Sequence, residues 1–341
     1  MKLSRPYLIL FNPIYWLVVF LRNLFFDLGI FKSTFFNLPI IAVGNLSAGG
    51  TGKTPHTEYI IKLLKDKKRI AVLSRGYGRS SVGYQEATST PDAQRIGDEP
   101  AQIKSKFLEI TVAVDADRVN GVRKLLAKKN QPEVIVLDDA FQHRKLQAGF
   151  YVLLTSYNHL FIDDWVLPAG NLREQRSGYS RAHAIIVTKC PADLSLKSQK
   201  EIALRIKSKT HQRIYFSAIS YAMPQPESAG FKFEKPFVLI TGIADANPLL
   251  TQLKEQNATF EHLNFADHYR FEAKDIEKII ETTKNNHCKQ ILTTEKDFQR
   301  LDLNALYEAK IKVSYLPISI QFLDDAHGFD TQILDYVSSY E

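Results

Sequence analysis

The run Ile40-Ile-Ala-Val-Gly-Asn-Leu-Ser-Ala-Gly-Gly-Thr-Gly-Lys-Thr54 decides how the rest of the chain is read. Four apolar residues, Ile40–Val43, predict a buried strand; a glycine-rich turn leads from it to Lys53-Thr54, and a helix is expected next. Phosphate binding needs consecutive backbone N–H groups turned into one concavity, and glycines at 49, 50 and 52 let the chain bend that tightly. The following helix adds the positive end of its dipole. Ser47, Ala48, Gly49, Gly50, Thr51, Gly52, Lys53 and Thr54 are therefore the candidate nucleotide loop, although Ser47 stands where the standard motif carries glycine. Lys53 is expected to reach the β- and γ-phosphates of ATP, and Thr54 to ligate Mg2+. Pro55 fits a first helical turn, where no intrahelical N–H bond is lost.

On either side of this loop, short apolar runs alternate with helical stretches. Strands are predicted at Ile40–Val43, Ile70–Ser74, Ile110–Val114, Val134–Leu137, Tyr151–Leu154 and Ala184–Val187, with helices at Glu58–Lys65, Ala116–Lys128 and Leu196–Ser208 between them. Continuously apolar strands separated by helices argue for a parallel sheet covered on both faces. Residues 221–236, with three prolines and a glycine, read as a linker, and Phe237–Thr241, Thr259–Leu263, Gln290–Leu292 and Lys312–Tyr315 as strands of a second unit. The expected fold class is α/β: a P-loop NTPase-like, mostly parallel sheet flanked by helices, with a second, smaller α/β domain. The expected boundaries are 1–32 for an N-terminal membrane-associated helical segment, 33–220 for a P-loop kinase core, 221–236 for the linker and 237–341 for the smaller domain.

Composition bounds the partners. At 341 residues, 45% of them hydrophobic and 24% charged, the chain is an ordinary globular protein of about two domains. Its net charge of +7 favours an anionic partner: nucleic acid, acidic lipid or a phosphorylated substrate. Cys190 and Cys288 offer neither a disulfide framework nor metal spacing and suit a reducing compartment. From Tyr7 to Phe31 the chain is dense in Leu, Ile, Val and Phe, but Asn12-Pro13, Arg22-Asn23 and Asp27 interrupt the run, and no A-x-A cleavage site follows. Lys2, Arg5, Arg22 and Lys32 can snorkel to phosphates while the aromatics lie at head-group depth, so an interfacial helix is expected rather than a spanning one. A buried N-terminal helix pair is the competing reading.

The acids supply the chemistry. Val134–Leu137 runs into Asp138-Asp139, and ligands of open α/β sheets gather at the carboxyl ends of strands, so carboxylates there can hold Mg2+ directly or through water. A second pair, Asp98-Glu99, precedes Pro100; on local grounds Asp98 reads equally as a helix N-cap. Arg75 and Arg79, in Ser74-Arg-Gly-Tyr-Gly-Arg79, sit at a strand end where two guanidinium groups can clamp phosphate. His268 follows Asp267 in Phe265-Ala-Asp-His-Tyr-Arg-Phe271; alone, it would read as an exposed histidine in a polar turn.

Taken in order, VGNLSAGGTGKTP (43–55), SRGYGR (74–79), IGDEP (96–100), LDDAFQH (137–143), LPAGNLRE (167–174), FADHYRF (265–271) and TTEKD (293–297) resemble the tetraacyldisaccharide 4'-kinase family, the lipid A 4'-kinases. The resemblance implies an enzyme at the cytoplasmic face of the inner membrane, held there peripherally or monotopically, that uses ATP and Mg2+ to phosphorylate the 4'-hydroxyl of an acylated glucosamine disaccharide 1-phosphate. It implies a general base at Asp98 working with His268, and acids at Glu99, Asp138 and Asp139 around Mg2+. Lys53 and Thr54 match the phosphate-loop pair, and Arg75, Arg79, Asn171 and Arg173 are the implied substrate contacts. Asn171 departs from the proline expected in a G-P-L-R-E pattern, and Ala140 from the glycine that follows the two acids; both put local loop shape in question. If His268 lies beyond the linker, the site draws on both domains.

The chemistry follows from the residues too. Phosphoryl transfer asks for positioning, charge neutralisation and a base near the attacking hydroxyl. The competing reading is a membrane-partitioning ATPase switch, but its signature lysine before the glycine pair is Ala48 here. A nucleic-acid-dependent ATPase would need a basic, aromatic-bearing groove, and the lysines here are scattered, so no nucleic-acid partner is expected.

Overall fold

The computed structural model describes residues 6–225, 231–233, 235–267 and 269–340. Linker positions 226–230 and 234, and with them His268, lie outside the described residues. In chain order, the strands of the larger sheet begin with β1 (Ile40–Asn45), β2 (Ile70–Ser74), β3 (Gln85–Glu86) and β4 (Thr111–Val114). They continue with β5 (Val134–Asp138), β6 (Phe150–Ser156), β7 (Ala184–Thr188) and β8 (Arg213–Tyr221). A smaller sheet holds β9 (Phe237–Thr241), β10 (Phe260–Asn264), β11 (Gln290–Thr294) and β12 (Lys312–Leu316), and β13 (Ile318–Phe322) returns to the larger one.

The larger sheet runs in the order β13-β8-β7-β6-β1-β5-β2-β4-β3. The pairs from β8 through to β4 are parallel, and the short edge strand β3 pairs antiparallel on β4. β1 and β5 are buried throughout, and their alternate residues feed opposite cores. Ile41, Val43 and Val136 join a cluster with Ile60, Ile61 and Leu64 of α2 (Lys53–Leu64). Ile40, Ala42 and Leu137 face Val119, Val122 and Leu125 of α5 (Arg118–Leu126). Apolar runs without alternation thus do what the period requires when both faces of a sheet are covered. The predicted strands all exist, each within a few residues of the expected ends.

Two further helices matter for the site: α1 (Asn12–Asp27), entered through a 3-10 turn at Pro6–Phe11, and α4 (Asp98–Lys106), preceded by the short α3 (Ala93–Ile96). α6 (Leu196–Ile206) lies between β7 and β8 in the chain. Residue pair Arg22-Asn23 does not interrupt α1, and residues 7–27 are long and apolar enough to cross a membrane by length and composition. Pro13 is tolerated because it falls in the first turn.

The chain divides into two compact units, Met1–Ile219 with Ile320–Glu341, and Ser220–Ser319. The smaller unit has the all-parallel order β10-β9-β11-β12, with α7 (Asn247–Glu255), α8 (Ala273–Asn285), α9 (Glu295–Phe298) and α10 (Leu303–Glu308). Its end differs from the expected 237–341, because α11 (Ala326–Ser338) is built into the first unit. Phe329, Ile333 and Val337 join the core of α2 and β1. The Tyr336 hydroxyl accepts from the Ile40 N–H (3.0 Å) and donates to its carbonyl (3.1 Å). A terminal amphipathic helix has no linker chemistry to announce where it returns, so the break at residue 320 left no local mark.

A phosphate site at the carboxyl ends of the central strands

The phosphate loop leaves β1 at Asn45 and is held from three sides. Asn45 Nδ2 donates to Thr51 Oγ1 (2.8 Å) and to the Gly49 carbonyl (3.3 Å). The Thr188 hydroxyl, at the end of β7, donates to the Thr51 carbonyl (2.9 Å). The Ala48 N–H donates to the Asn171 carbonyl and the Arg173 N–H to the Leu46 carbonyl, both at 2.7 Å, which lays segment 167–174 along the start of the loop. Gly49 (φ 118°) and Gly52 (φ 82°) occupy backbone regions that favour glycine, and Gly52 sits immediately before α2.

His56, buried in the second turn of α2, closes the loop from below. Its Nδ1–H donates to the Gly52 carbonyl (2.7 Å), so Nε2 accepts from the Ser217 hydroxyl (3.0 Å). Burial pushes the ring down to about 4, leaving it neutral near pH 7.

The acids converge on this loop. Asp138, at the end of β5, is 3% exposed. Burial first, then the neighbouring Asp139 and Glu99 charges, push its carboxyl up to about 7 against the pull of Lys53 and the Thr57 hydroxyl, which donates to it at 3.1 Å. Asp139 takes φ 49°, a conformation that aspartate tolerates better than most residues. Its carboxylate pairs with Lys53 Nζ (3.7 Å) and with Arg173 (3.1 Å).

Asp98 opens α4 without capping it. Gly97 is the cap residue, at φ 97°, and a Cβ there would stand 3.1 Å from the Tyr77 carbonyl oxygen, so segment 76–78 and segment 96–98 meet only through glycine. α4 is tied to α2 by the buried Glu58, which accepts from Gln102 (2.8 Å) and Lys106 (2.7 Å). That clip fixes the helix of Asp98 and Glu99 relative to the helix of Lys53.

The other expected residues divide. Arg75 is exposed at the end of β2. The Arg79 guanidinium donates to the carbonyls of Val114 (3.3 Å) and Gly83 (2.7 Å), and the Asn171 amide to Asp164 (3.1 Å), so both brace their own loops. Sequence reasoning missed Arg118, Gln142, Glu58 and His56. Arg118 is buried close enough to Asp138 and Asp139 for their charges to act on it, while burial pulls its guanidinium down to about 10. Gln142 Nε2 donates to the Asn45 carbonyl (2.7 Å). Of these, only Gln142 lay inside a quoted motif; the others are ordinary polar residues on helices, made important by what they face.

Among the described residues no group of three or more His, Cys, Asp or Glu side chains is arranged to hold a metal alone. The donor set still fits Mg2+. The ion usually takes one or two carboxylates and completes its shell with water and phosphate oxygens. The buried Asp138 carboxylate beside Asp139 and Glu99, with a hydroxyl at Thr54 by the loop, is such a partial set.

A glycine loop between β1 and α2, with its lysine paired to the carboxylate that follows the adjacent strand β5, defines a P-loop nucleotide-dependent phosphotransferase. The family model described as tetraacyldisaccharide-1-P 4'-kinase matches residues 4–338, and the chain belongs to that family. A tetraacyldisaccharide 4'-kinase of Flavobacterium johnsoniae is 46% identical over 343 residues, covering 99% of this chain and 98% of the relative. One from Bacteroides thetaiotaomicron is 43% identical over 350 residues, with coverage of 95% and 92%. The crystal structure of LpxK from Aquifex aeolicus in complex with ATP superposes with a TM-score of 0.74 at 27% identity, covering 97% of this chain and 98% of that one. The expected fold class, family and kinase activity hold.

Proposed function

We propose that this chain transfers the γ-phosphate of ATP to the 4'-hydroxyl of an acylated glucosamine disaccharide 1-phosphate, with Asp98 as base. The observation that carries the residue assignment is the shared grip on Asp139: Lys53 and Arg173 meet on one carboxylate at the mouth of the phosphate loop. The loop N–H groups and Lys53 bind the β- and γ-phosphates, with Ser47 to Thr54 as the cradle. Mg2+, when bound, would neutralise phosphate charge and orient the γ-phosphoryl group, and Thr54, Asp138, Asp139 and Glu99 are the residues that would hold it. Asp98, beside Glu99 at the start of α4, accepts the proton of the sugar hydroxyl. Arg75, Arg79, Asn171 and Arg173 remain the acceptor-side residues implied by the family, with Arg79 and Asn171 acting through loop shape. Incubation with γ-labelled ATP and the disaccharide 1-phosphate tests the reading: label is expected on the lipid. Label in inorganic phosphate alone, at a rate indifferent to the lipid, would mean an ATPase switch.

We infer further that the enzyme rests on the cytoplasmic face of the inner membrane through α1. Ile14 (65% exposed) and Val18 (61%) point outward, whereas Tyr15, Asn23 and Asp27 are bonded to the body of the same unit. Residues 7–27 are long enough to cross a bilayer, but the polar contacts of Tyr15, Asn23 and Asp27 hold α1 along the protein. Alkaline carbonate is expected to extract the full chain from membranes; resistance would mean a spanning segment.

A further inference from the structure

The apolar face of α1 explains membrane attachment, but its opposite face does something attachment does not require. The Tyr15 hydroxyl donates to the Arg173 carbonyl (3.0 Å), Arg22 to the Gln142 carbonyl (3.1 Å) and Asn23 Nδ2 to Glu174 Oε2 (3.2 Å). Every segment it touches here adjoins the phosphate site. Arg173 grips Asp139, and Gln142 holds the Asn45 carbonyl, where the phosphate loop begins.

Glu174 is the node. It is 2% exposed, and its carboxylate accepts from Asn23, from Gln142 (3.2 Å) and from Arg181 through both oxygens (2.8 and 2.9 Å). Arg181 lies over the ring of Phe141, 4.7 Å from its centroid, in the turn that follows Asp138-Asp139. A buried carboxylate is tolerated only when its lone pairs are filled, so its partners are fixed as a set. Asn23 is the member of that set supplied by α1. An anchor needs an apolar surface and a tether; it does not need an amide directed into a buried network beside the reacting groups.

We propose that Glu174 is a positioning residue through which the polar face of α1 sets Arg173 and Gln142 against Asp139 and the start of the phosphate loop. The membrane helix is then part of the catalytic scaffold as well as its support. The inference rests on the kinase and membrane readings above, and the test separates them from it.

Tyr15 and Asn23 are half-buried at the helix surface, so Tyr15→Phe with Asn23→Ala leaves the core intact. In the full-length protein, kcat is expected to fall on the order of tenfold or more, as small displacements of catalytic groups do. KM for the lipid and partition onto phosphatidylglycerol-containing vesicles should stay within about twofold, because the apolar face is untouched. A second pair guards against a trivial loss of packing. Asn23→Asp sets two carboxylates together and should lower kcat similarly, whereas Asn23→Gln keeps the amide donor and should retain most of it. Unchanged kcat in the first variant, equal losses in the second pair, or vesicle binding lost in step with activity would overturn the proposal. Wild-type protein that fails to bind vesicles while the kcat effects stand would sink the membrane reading alone.

Discussion

Asp98 begins α4 behind a glycine cap, and this matters for its chemistry: Gly97, not Asp98, holds the cap position. Asp98→Ala should therefore leave α4 formed while kcat drops by ~10²–10⁴-fold, the usual cost of losing a general base. ATP affinity, read by titration calorimetry, should change little; a comparable loss of ATP binding would reassign Asp98 to the nucleotide side. A second residue-scale expectation concerns stability. His183 Nδ1 accepts the Tyr151 N–H (3.0 Å) with the ring stacked on Phe150 (5.0 Å), and burial lowers its pKa below the ordinary 6.5. The unfolded chain therefore binds a proton first as pH falls below about 6.5, while the folded ring resists, so this contribution to stability is present above that pH and is lost below it. His183→Asn keeps an acceptor for Tyr151 and removes the titration. Urea unfolding at pH 7.5 and 5.5 should show a shallower acid loss in the variant; equal losses would clear His183 of the effect. TTEKD, one of the motifs that carried the family resemblance, proves structural at this scale. Thr294 caps α9, and the fully buried Asp297 accepts from the Gly242 N–H (2.8 Å) and pairs with Arg300 (3.2 Å).

Elements carried most of what the sequence made legible. Strands buried on both faces must be apolar at every position, so β1, β2, β5 and β7 were readable from Ile, Val, Leu and Ala alone, and the loop glycines then fixed which strand end held phosphate. The long strand β8 escaped because Arg213, exposed at its start, and a partly buried end blur the pattern. The site was legible where a residue type is itself chemical, as with Lys53, Asp138 and Asp139, and illegible where an ordinary side chain works through a partner far away in sequence. Glu58, bonded across 44 and 48 positions to Gln102 and Lys106, is such a case. Close approach of elements hides in the same way. β1 meets the turn after β5 at Gly44, where an added Cβ would lie 2.7 Å from Phe141 Cβ and 2.9 Å from its backbone nitrogen. Backbone cannot yield as a flexible side chain does, so Gly44→Ala should destabilise the protein by about 1–3 kcal/mol, as overpacking does, and lower kcat by shifting Asp139, two residues before Phe141. Gly78→Ala, with nothing within 4 Å but φ 71°, is the control for backbone strain alone. Equal tryptophan-reported unfolding midpoints and equal activity for the two would show that the approach at Gly44 is of no consequence.

At the scale of the molecule the chain carries two cores, each with its own sheet, and the nucleotide site expected from Ser47–Thr54, Asp98-Glu99 and Asp138-Asp139 lies wholly in the first unit. Proteins with separate cores need not unfold in one step, so a single melting point is the wrong quantity to seek. The sequence contains two tryptophans, Trp16 on α1 and Trp165 beside the loop of Asn171, and both belong to the first unit. Intrinsic tryptophan fluorescence therefore reports that unit alone, while calorimetry reports both. A ligand that binds only the folded form raises stability by RT ln(1 + [L]/Kd), about 2.7 kcal/mol when its concentration is 100 times Kd. Mg2+ with a non-hydrolysable ATP analogue should raise the tryptophan-reported midpoint by several degrees, and Lys53→Ala should abolish most of that rise without lowering the ligand-free midpoint, because Lys53 is partly exposed and fills no core position. A transition seen by calorimetry and silent in fluorescence belongs to Ser220–Ser319. If the analogue leaves the tryptophan transition where it was, the phosphate site has been assigned to the wrong unit, and the grip of Lys53 and Arg173 on Asp139 is a structural ion pair and nothing more.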